Sequence, residues 1–367
     1  LSLELQPQPD KQAWLSSPIW DSIWILSPAF LSAGCVYLFR GQMAASTNVP
    51  LWVWICFVLL IDVAHVYATL FRTYLNGAAF HNNKNILLAI PAVAWIGGSL
   101  LYSLDAIYFW RALAYLAVFH FIRQQFGFVI LYSRKDPAEF KKFRWLDCAV
   151  IYMATIYPIL FWHTNMPRNF SWFVAGDFIE TLPQVATQVG LFAYIAVALA
   201  HVIKEIALAT KTRFFNLPKN ILMTGTALSW WVGIVTFNSD MAFTITNVVS
   251  HGIPYMALIW LYHHQKSTIA EQTGSVRKRK IAQALISNVV IFFAFLAILA
   301  YLEEGLWDGL VWREHLSLFA PFSFLPSIGD TAILALLVPL LSLPQSTHYL
   351  LDGFIWRVKD RKSAWSA

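Results

Sequence analysis

The chain has 367 residues, of which 58% are hydrophobic and 13% charged, with a formal net charge of +6. A water-soluble domain carries about 25% charged residues, so the composition excludes an ordinary soluble globule. The basic residues sit in short loops between apolar runs, as the positive-inside rule of membrane proteins requires, so no nucleic-acid partner is implied.

Apolar runs of about 20 residues, long enough to cross a bilayer as helix, recur along the whole sequence. They predict ten spans, over 18–39, 51–74, 85–104, 108–132, 146–163, 185–209, 219–237, 241–264, 281–302 and 329–356. A signal peptide would be single and N-terminal. The fold class is therefore all-α, a polytopic transmembrane helical bundle. With ten spans, four basic stretches fall on one side: Arg134 to Arg144, Lys204 to Lys219, Arg277 to Lys280, and Arg357 to Lys362. That side is predicted to be cytoplasmic, with both termini on it. The opposite loops are neutral or acidic, as in Asp177 with Glu180 and Glu303 with Glu304. The expected organisation is a cytoplasmic segment 1–17, one membrane domain 18–356, and a basic tail 357–367. Within the domain, 305–326 is Trp- and Phe-rich and is placed at the outer interface. The numbering begins at Leu1, so an initiator or leader ahead of it is left open. Cys35, Cys56 and Cys148 have no ligand spacing and imply no disulfide framework.

Ionisable side chains are costly in a bilayer and usually face a bundle interior or cavity, so the polar faces of the spans locate candidate sites. In the second span, Asp62, His65, Thr69 and Thr73 fall within about 80° of arc, with Arg72 at the margin. A carboxylate and an imidazole so placed can bind one metal, or one can orient the other; an Asp–His bond that only locks helices together is the alternative. In the fourth span, His120, Arg123, Gln124 and Gly127 share a face. Gly127 would admit a close neighbour, and Arg123 needs an anion such as Asp62 or Asp352.

The eighth span carries Thr244, Asn247, His251, Tyr255 and Tyr262 on one stripe, with Gly252 and Pro254 beside His251 to free a carbonyl. His263 and His264 point elsewhere and suit the interface. In the last span, Gln345, His348 and Asp352 share a face, and the i, i+4 His–Asp pair can chelate a metal or stabilise the helix. Trp356 and Arg357 read as an interfacial anchor.

His65, His120, His251 and His348 thus lie on four helices at a common depth, about 12–20 Å from the cytoplasmic ends. Independent packing histidines have no reason to share a depth, whereas one site explains it. The proposed ligands are Asp62, His65, His120, His251, His348 and Asp352, with Arg123, Gln124, Asn247 and Tyr255 orienting ligands or substrate. His81 is a further candidate if the loop after the second span folds back. Imidazoles and carboxylates without thiolate suit iron, zinc, copper or manganese.

The segment from His348 to Arg357 (HYLLDGFIWR) resembles the final His/Asp helix of bacterial membrane carotene-cleaving dioxygenases. The segment from His120 to Phe128 (HFIRQQFGF) is similar to a His/Arg-rich stretch of the same family. The resemblance covers about 20 residues of 367. It implies non-heme iron held in part by His120 and His348, and a class of chemistry rather than a substrate. A histidine-rich site facing the cytoplasm from a helical bundle suits oxygen activation by such an iron on a hydrophobic, lipid-like small molecule drawn from the bilayer, and the expected location is a bacterial inner membrane. The family's early His-Gly-Ala-Leu-Asp type segment is missing, and Asp62-Val-Ala-His65 has the reverse order. The HxxxH and HxxHH boxes of membrane desaturases are absent too.

Three alternatives stand beside this. A heme-binding bundle would pair histidines 13 or 14 residues apart, but His251 and His264 lie about 140° apart around the helix. A proton-coupled transporter would use Asp62, His65, Arg123 and Asp352 as a relay. A non-catalytic subunit would place the Trp-rich surfaces against partners in a membrane complex or a homo-oligomer.

Overall fold

The computed structural model describes residues 12–45, 49–180, 182–272 and 281–355. These residues form helices and connecting loops, with no strand among them. Eight helices are long and apolar enough to cross a membrane: α1 (Pro18–Leu38), α2 (Leu51–Arg72), α3 (Gly77–Leu104), α4 (Ala106–Tyr132), α5 (Arg144–Thr164), α6 (Gln184–Thr212), α8 (Asp240–His264) and α9 (Val289–Trp312). Between α6 and α8 lies α7 (Leu217–Trp230), which continues as a π-helical turn through Thr236. Its apolar run is broken by Lys219, Asn220, Thr224, Thr226 and Ser229, which keeps it out of that set. The last two helices, α10 (Thr331–Leu341) and α11 (Leu343–Ile355), meet at a 45° bend and make a ninth span if counted as one. Pro344 causes the break, since it has no N–H to give to the preceding turn.

The ninth span begins later than the sequence suggests. A short helix (Ile281–Ser287) comes first, and Asn288 then starts α9 by accepting from the amides of Val290 and Ile291. Glu303 and Glu304, read from sequence as loop residues, therefore sit inside α9, and Glu303 is buried. The 305–326 stretch is continuous with α9. It finishes α9 and folds back, so that the Phe322 ring covers Gly305 and Phe319 is buried.

Helix α8 is the axis of the bundle, buried along almost its whole length. It packs against α1, α2 and the π-helical end of α7. The segment just ahead of α1 is tied to one end of the bundle. Gln12 bonds Phe215 and Leu217, and Arg134 donates to the carbonyls of Ala13 and Trp14. The 134 and 215 loops are thereby brought together at that end. The run Arg277 to Lys280, Trp356 and the tail 357–367 lie outside the described residues.

Candidate metal centre

Four helices deliver one histidine each to a single buried point. His65 from α2, His120 from α4, His251 from α8 and His348 from α11 each offer a nitrogen, all within 4.8 Å of one another. The Nε2 atom of His251 lies 3.1 Å from Nε2 of His65 and 3.2 Å from Nε2 of His120. Each of the four residues is at most 1% exposed.

The outward nitrogens explain why the inward ones face each other. Nδ1 of His65 meets the Ile61 carbonyl at 3.2 Å, and a carbonyl only accepts, so that nitrogen carries the proton. His348 Nδ1 lies 2.6 Å from the Thr69 hydroxyl, which lies 2.9 Å from the Tyr255 hydroxyl, and Tyr255 in turn bonds the Asp352 carboxylate. A carboxylate at the end of that chain orders its protons. Tyr255 donates to Asp352, Thr69 to Tyr255 and His348 Nδ1 to Thr69, which leaves Nε2 of His348 as a bare lone pair. That nitrogen is buried and has no hydrogen-bond partner among the described residues. Asp352 also stands 3.6 Å from Nδ1 of His120.

The Nε2 lone pairs of His65 and His348 repel each other in a dry interior, and burying a polar atom without a partner, as at Nε2 of His348, costs about 1–3 kcal/mol. A cation at their centre removes both penalties. Four nitrogens at about 2.0–2.1 Å from one ion stand about 3–4 Å apart, which is the separation of the closest pairs here. The histidines therefore fit a metal ion.

The other residues singled out from sequence divide clearly. Asp62 and Asp352 are not in the four-nitrogen cluster. They lie behind the rings, Asp62 at 3.7 Å from Nδ1 of His65 and Asp352 at 3.6 Å from Nδ1 of His120. Gln124 donates to the His251 carbonyl at 3.0 Å. Asn247, one turn before His251, turns its amide to the Phe243 carbonyl and leaves its oxygen unpaired. Tyr255 is the relay described above. Arg123 is directed elsewhere: it bonds the Tyr152 hydroxyl at 3.2 Å and lies over the Phe126 ring, not over Asp62 or Asp352. It sits on the side of α4 that meets α5. Gly127 has open space where a Cβ would go, so no neighbour approaches there. Gly252 is the close contact, with a Cβ position 2.8 Å from Ile61 and 3.5 Å from Nδ1 of His65. Pro254 does free a carbonyl, that of Ser250, and Gln125 reaches it at 3.4 Å. His81 is exposed on α3 and joins nothing here, while His264 stacks on Trp260.

Sequence reading missed Glu303. It accepts from Tyr67 on α2 at 2.6 Å and from Gln345 on α11, so it clamps together two of the histidine-bearing helices. The missed signal was helical continuity past residue 302. Also missed was the packing of α2, whose stretch Trp54–Val63 is π-helical, a form frequent at functional sites. It leaves the Asp62 side chain 40% exposed while His65, three residues on, is at 1%.

That exposure opens onto a cavity of about 770 Å³. Its floor contains Asp62, Phe121, Asn247 and Tyr349, each within four residues of a cluster histidine, and Phe121 stacks on the His251 ring at 3.7 Å. Its mouth is formed by Trp54, the 168–175 loop, Asp240 and the 304–319 segment. These are the helix ends remote from the 134 and 215 loops. The loop is shaped by Asp177, whose carboxylate accepts from the amides of Phe173 at 2.6 Å and Val174 at 3.1 Å. Burial raises the Asp177 carboxyl above its ordinary value, and the amide bonds oppose that shift.

A second group, Asp147, His201 and Glu205, also meets the geometric minimum for a metal. Two ammonium groups already stand in it. Lys219 lies 3.0 Å from Glu205, 3.3 Å from Asp147 and 3.5 Å from Asp136, and Lys204 lies 2.7 Å from Glu205 and also pairs with Asp147. Three carboxylates facing two lysines form an ionic knot that ties α5, α6 and α7.

No family model, no curated protein and no solved structure matches this chain.

Proposed function

We propose that the chain is an integral membrane metalloprotein in which His65, His120, His251 and His348 hold one ion, and that it is an oxidoreductase acting on a hydrophobic small molecule. The observation that carries this reading is the convergence of four buried imidazoles, with the outer nitrogens of His65 and His348 engaged by Ile61 and Thr69 and the Asp352 carboxylate 3.6 Å from that of His120. Four neutral nitrogens leave a divalent ion's charge uncompensated, and Asp62 and Asp352 behind the rings supply two negative charges close by. Non-heme iron is the proposed metal, with zinc, copper and manganese as the other ions this donor set accepts. Such an iron supplies redox chemistry with dioxygen as oxidant, in keeping with the resemblance of the His120 and His348 segments to carotene-cleaving dioxygenases. The chain's own part is to hold the rings rigidly, to exclude bulk water, and to place substrate in the cavity against Phe121, Asn247 and Tyr349. Heme is disfavoured, because two of four mutually adjacent histidines would occupy the plane where a porphyrin must lie.

The reading includes ten spans, with α7 as one of them, and both termini in the cytoplasm of a bacterial inner membrane. The basic loops support that orientation, and the cavity mouth then opens on the opposite face. The lipid bilayer is the surrounding partner. Metal analysis of purified protein tests the centre, with wild type beside His120→Ala and His348→Ala and an absorption spectrum of each. About one metal ion per chain, lost in both variants and without a Soret band, is the expected result. Metal-free wild type after purification without chelators overturns it, and leaves a transporter or a complex subunit as the better reading.

A further inference from the structure

The large cavity gathers carboxylates. Five carboxylates line it, those of Asp62, Asp240, Glu304, Asp308 and Glu314. The one guanidinium among the lining residues, Arg168, gives its Nη2 hydrogens to the carbonyls of Ile234 and Phe237 and lies over the rings of Phe161 and Phe170, while its Nε–H has no partner among the described residues. Glu304 lies near enough to Asp62, Glu303 and Asp308 to feel the charge of all three. Two acceptor atoms on buried residues are unpaired among the described residues: Oδ1 of Asn247, on a residue 2% exposed, and Oδ2 of Asp308, on one 3% exposed. An enclosure of like charges and unmet acceptors is stabilised by a ligand that brings positive charge and N–H donors.

The walls say what else the ligand carries. Trp110, Phe121, Trp172, Phe243 and Trp307 line the same space. Aromatic faces attract cations and bury apolar bodies. A volume of about 770 Å³ suits a drug-sized molecule and greatly exceeds what a bare ion needs.

We infer that the cavity binds an organic cation, a protonated amine with an aromatic or aliphatic apolar body, with its ammonium group held among Asp62, Glu304 and Asn247. This rests on the proposed enzyme reading only in naming that enzyme's substrate class; the binding itself requires no metal. A neutral hydrocarbon would leave Asn247 Oδ1 and the carboxylates unmet, and an anion would be repelled.

The test uses three probes with one fluorophore and one tether: dansyl-pentylammonium, dansyl-pentanol and dansyl-pentanoate. Binding to the full chain in phosphatidylcholine nanodiscs is read as energy transfer from the cavity tryptophans, with empty nanodiscs subtracting partition into lipid. The ammonium probe is expected to bind at least tenfold tighter than the alcohol, with no transfer to the carboxylate. Asp62→Asn and Glu304→Gln, which keep shape and remove charge, are each expected to erase most of that preference. Equal binding of the three probes to wild type overturns the inference, and that comparison needs no variant to fold. An unchanged preference in both monodisperse variants overturns it as well. His120→Ala separates the two proposals: amine selectivity that persists after metal is lost stands on its own, and metal retained without amine selectivity leaves only the enzyme reading.

Discussion

The Thr69 hydroxyl on α2 lies 2.6 Å from Nδ1 of His348 on α11, so the helix that supplies one histidine of the cluster also fixes the ring of another. Removing that hydroxyl leaves His348 free to rotate or change tautomer. Thr69→Val keeps the volume and is expected to weaken metal binding about 10–100-fold, as loss of an outer partner of a ligating histidine does. Chelator competition on the purified protein measures this, with the helical circular dichroism unchanged. Affinity equal to wild type would show that the relay from Asp352 through Tyr255 does not set the ring.

Asp62 and His65 are three residues apart, yet they do different work. His65→Ala is expected to abolish stoichiometric metal, whereas Asp62→Asn retains one ion per chain with reduced affinity. Elemental analysis at saturating metal distinguishes the two. Complete loss in Asp62→Asn would place that carboxylate among the ligands after all.

Gly252 and Gly127 make a matched pair. A methyl at 252 must displace Ile61, whose carbonyl orients His65, because its position is 2.8 Å from Ile61 Cγ2. A methyl at 127 meets nothing within 4 Å. Gly252→Ala is expected to lower both Tm and metal content, and Gly127→Ala to leave both unchanged. Thermal unfolding in detergent with parallel metal analysis tests the pair.

Lys219 is fully buried and faces three carboxylates. Lys219→Met removes the central cation and leaves them facing Lys204 alone. Breaking such a buried pair costs about 3–5 kcal/mol, so a large drop in Tm is expected. The cluster histidines are not its partners, and protein that remains folded at low temperature should still bind metal.

The class of fold was legible because a bilayer demands long apolar helices, and nine of the ten sequence segments correspond to the eight long helices and the bent pair. The meeting of His65, His120, His251 and His348 was legible too, since helical phase and depth are both arithmetic on residue numbers. Which nitrogen faces inward was not, because it depends on Thr69, Tyr255 and the Ile61 carbonyl, contacts that come from other helices or the backbone. Arg123 went astray for a related reason: a polar stripe tells which direction a side chain leaves the helix, not which neighbour stands there. Tyr152 stands there. The cavity was invisible in the sequence, because its mouth joins segments that are each 64 or more residues apart.

The ionic knot at the ends of α5, α6 and α7 also bears on how the chain is made. Lys204 and Glu205 travel on α6, while their partners arrive on Asp147 before it and on Lys219 after it. Lys204 and Glu205 pair with each other on α6, whereas α5 alone holds Asp147 and α7 alone holds Lys219 without a partner on the same helix, and a naked charge in lipid costs about 2.5–3.5 kcal/mol. Asp147 and Lys219 therefore find their partners only once α5, α6 and α7 have come together.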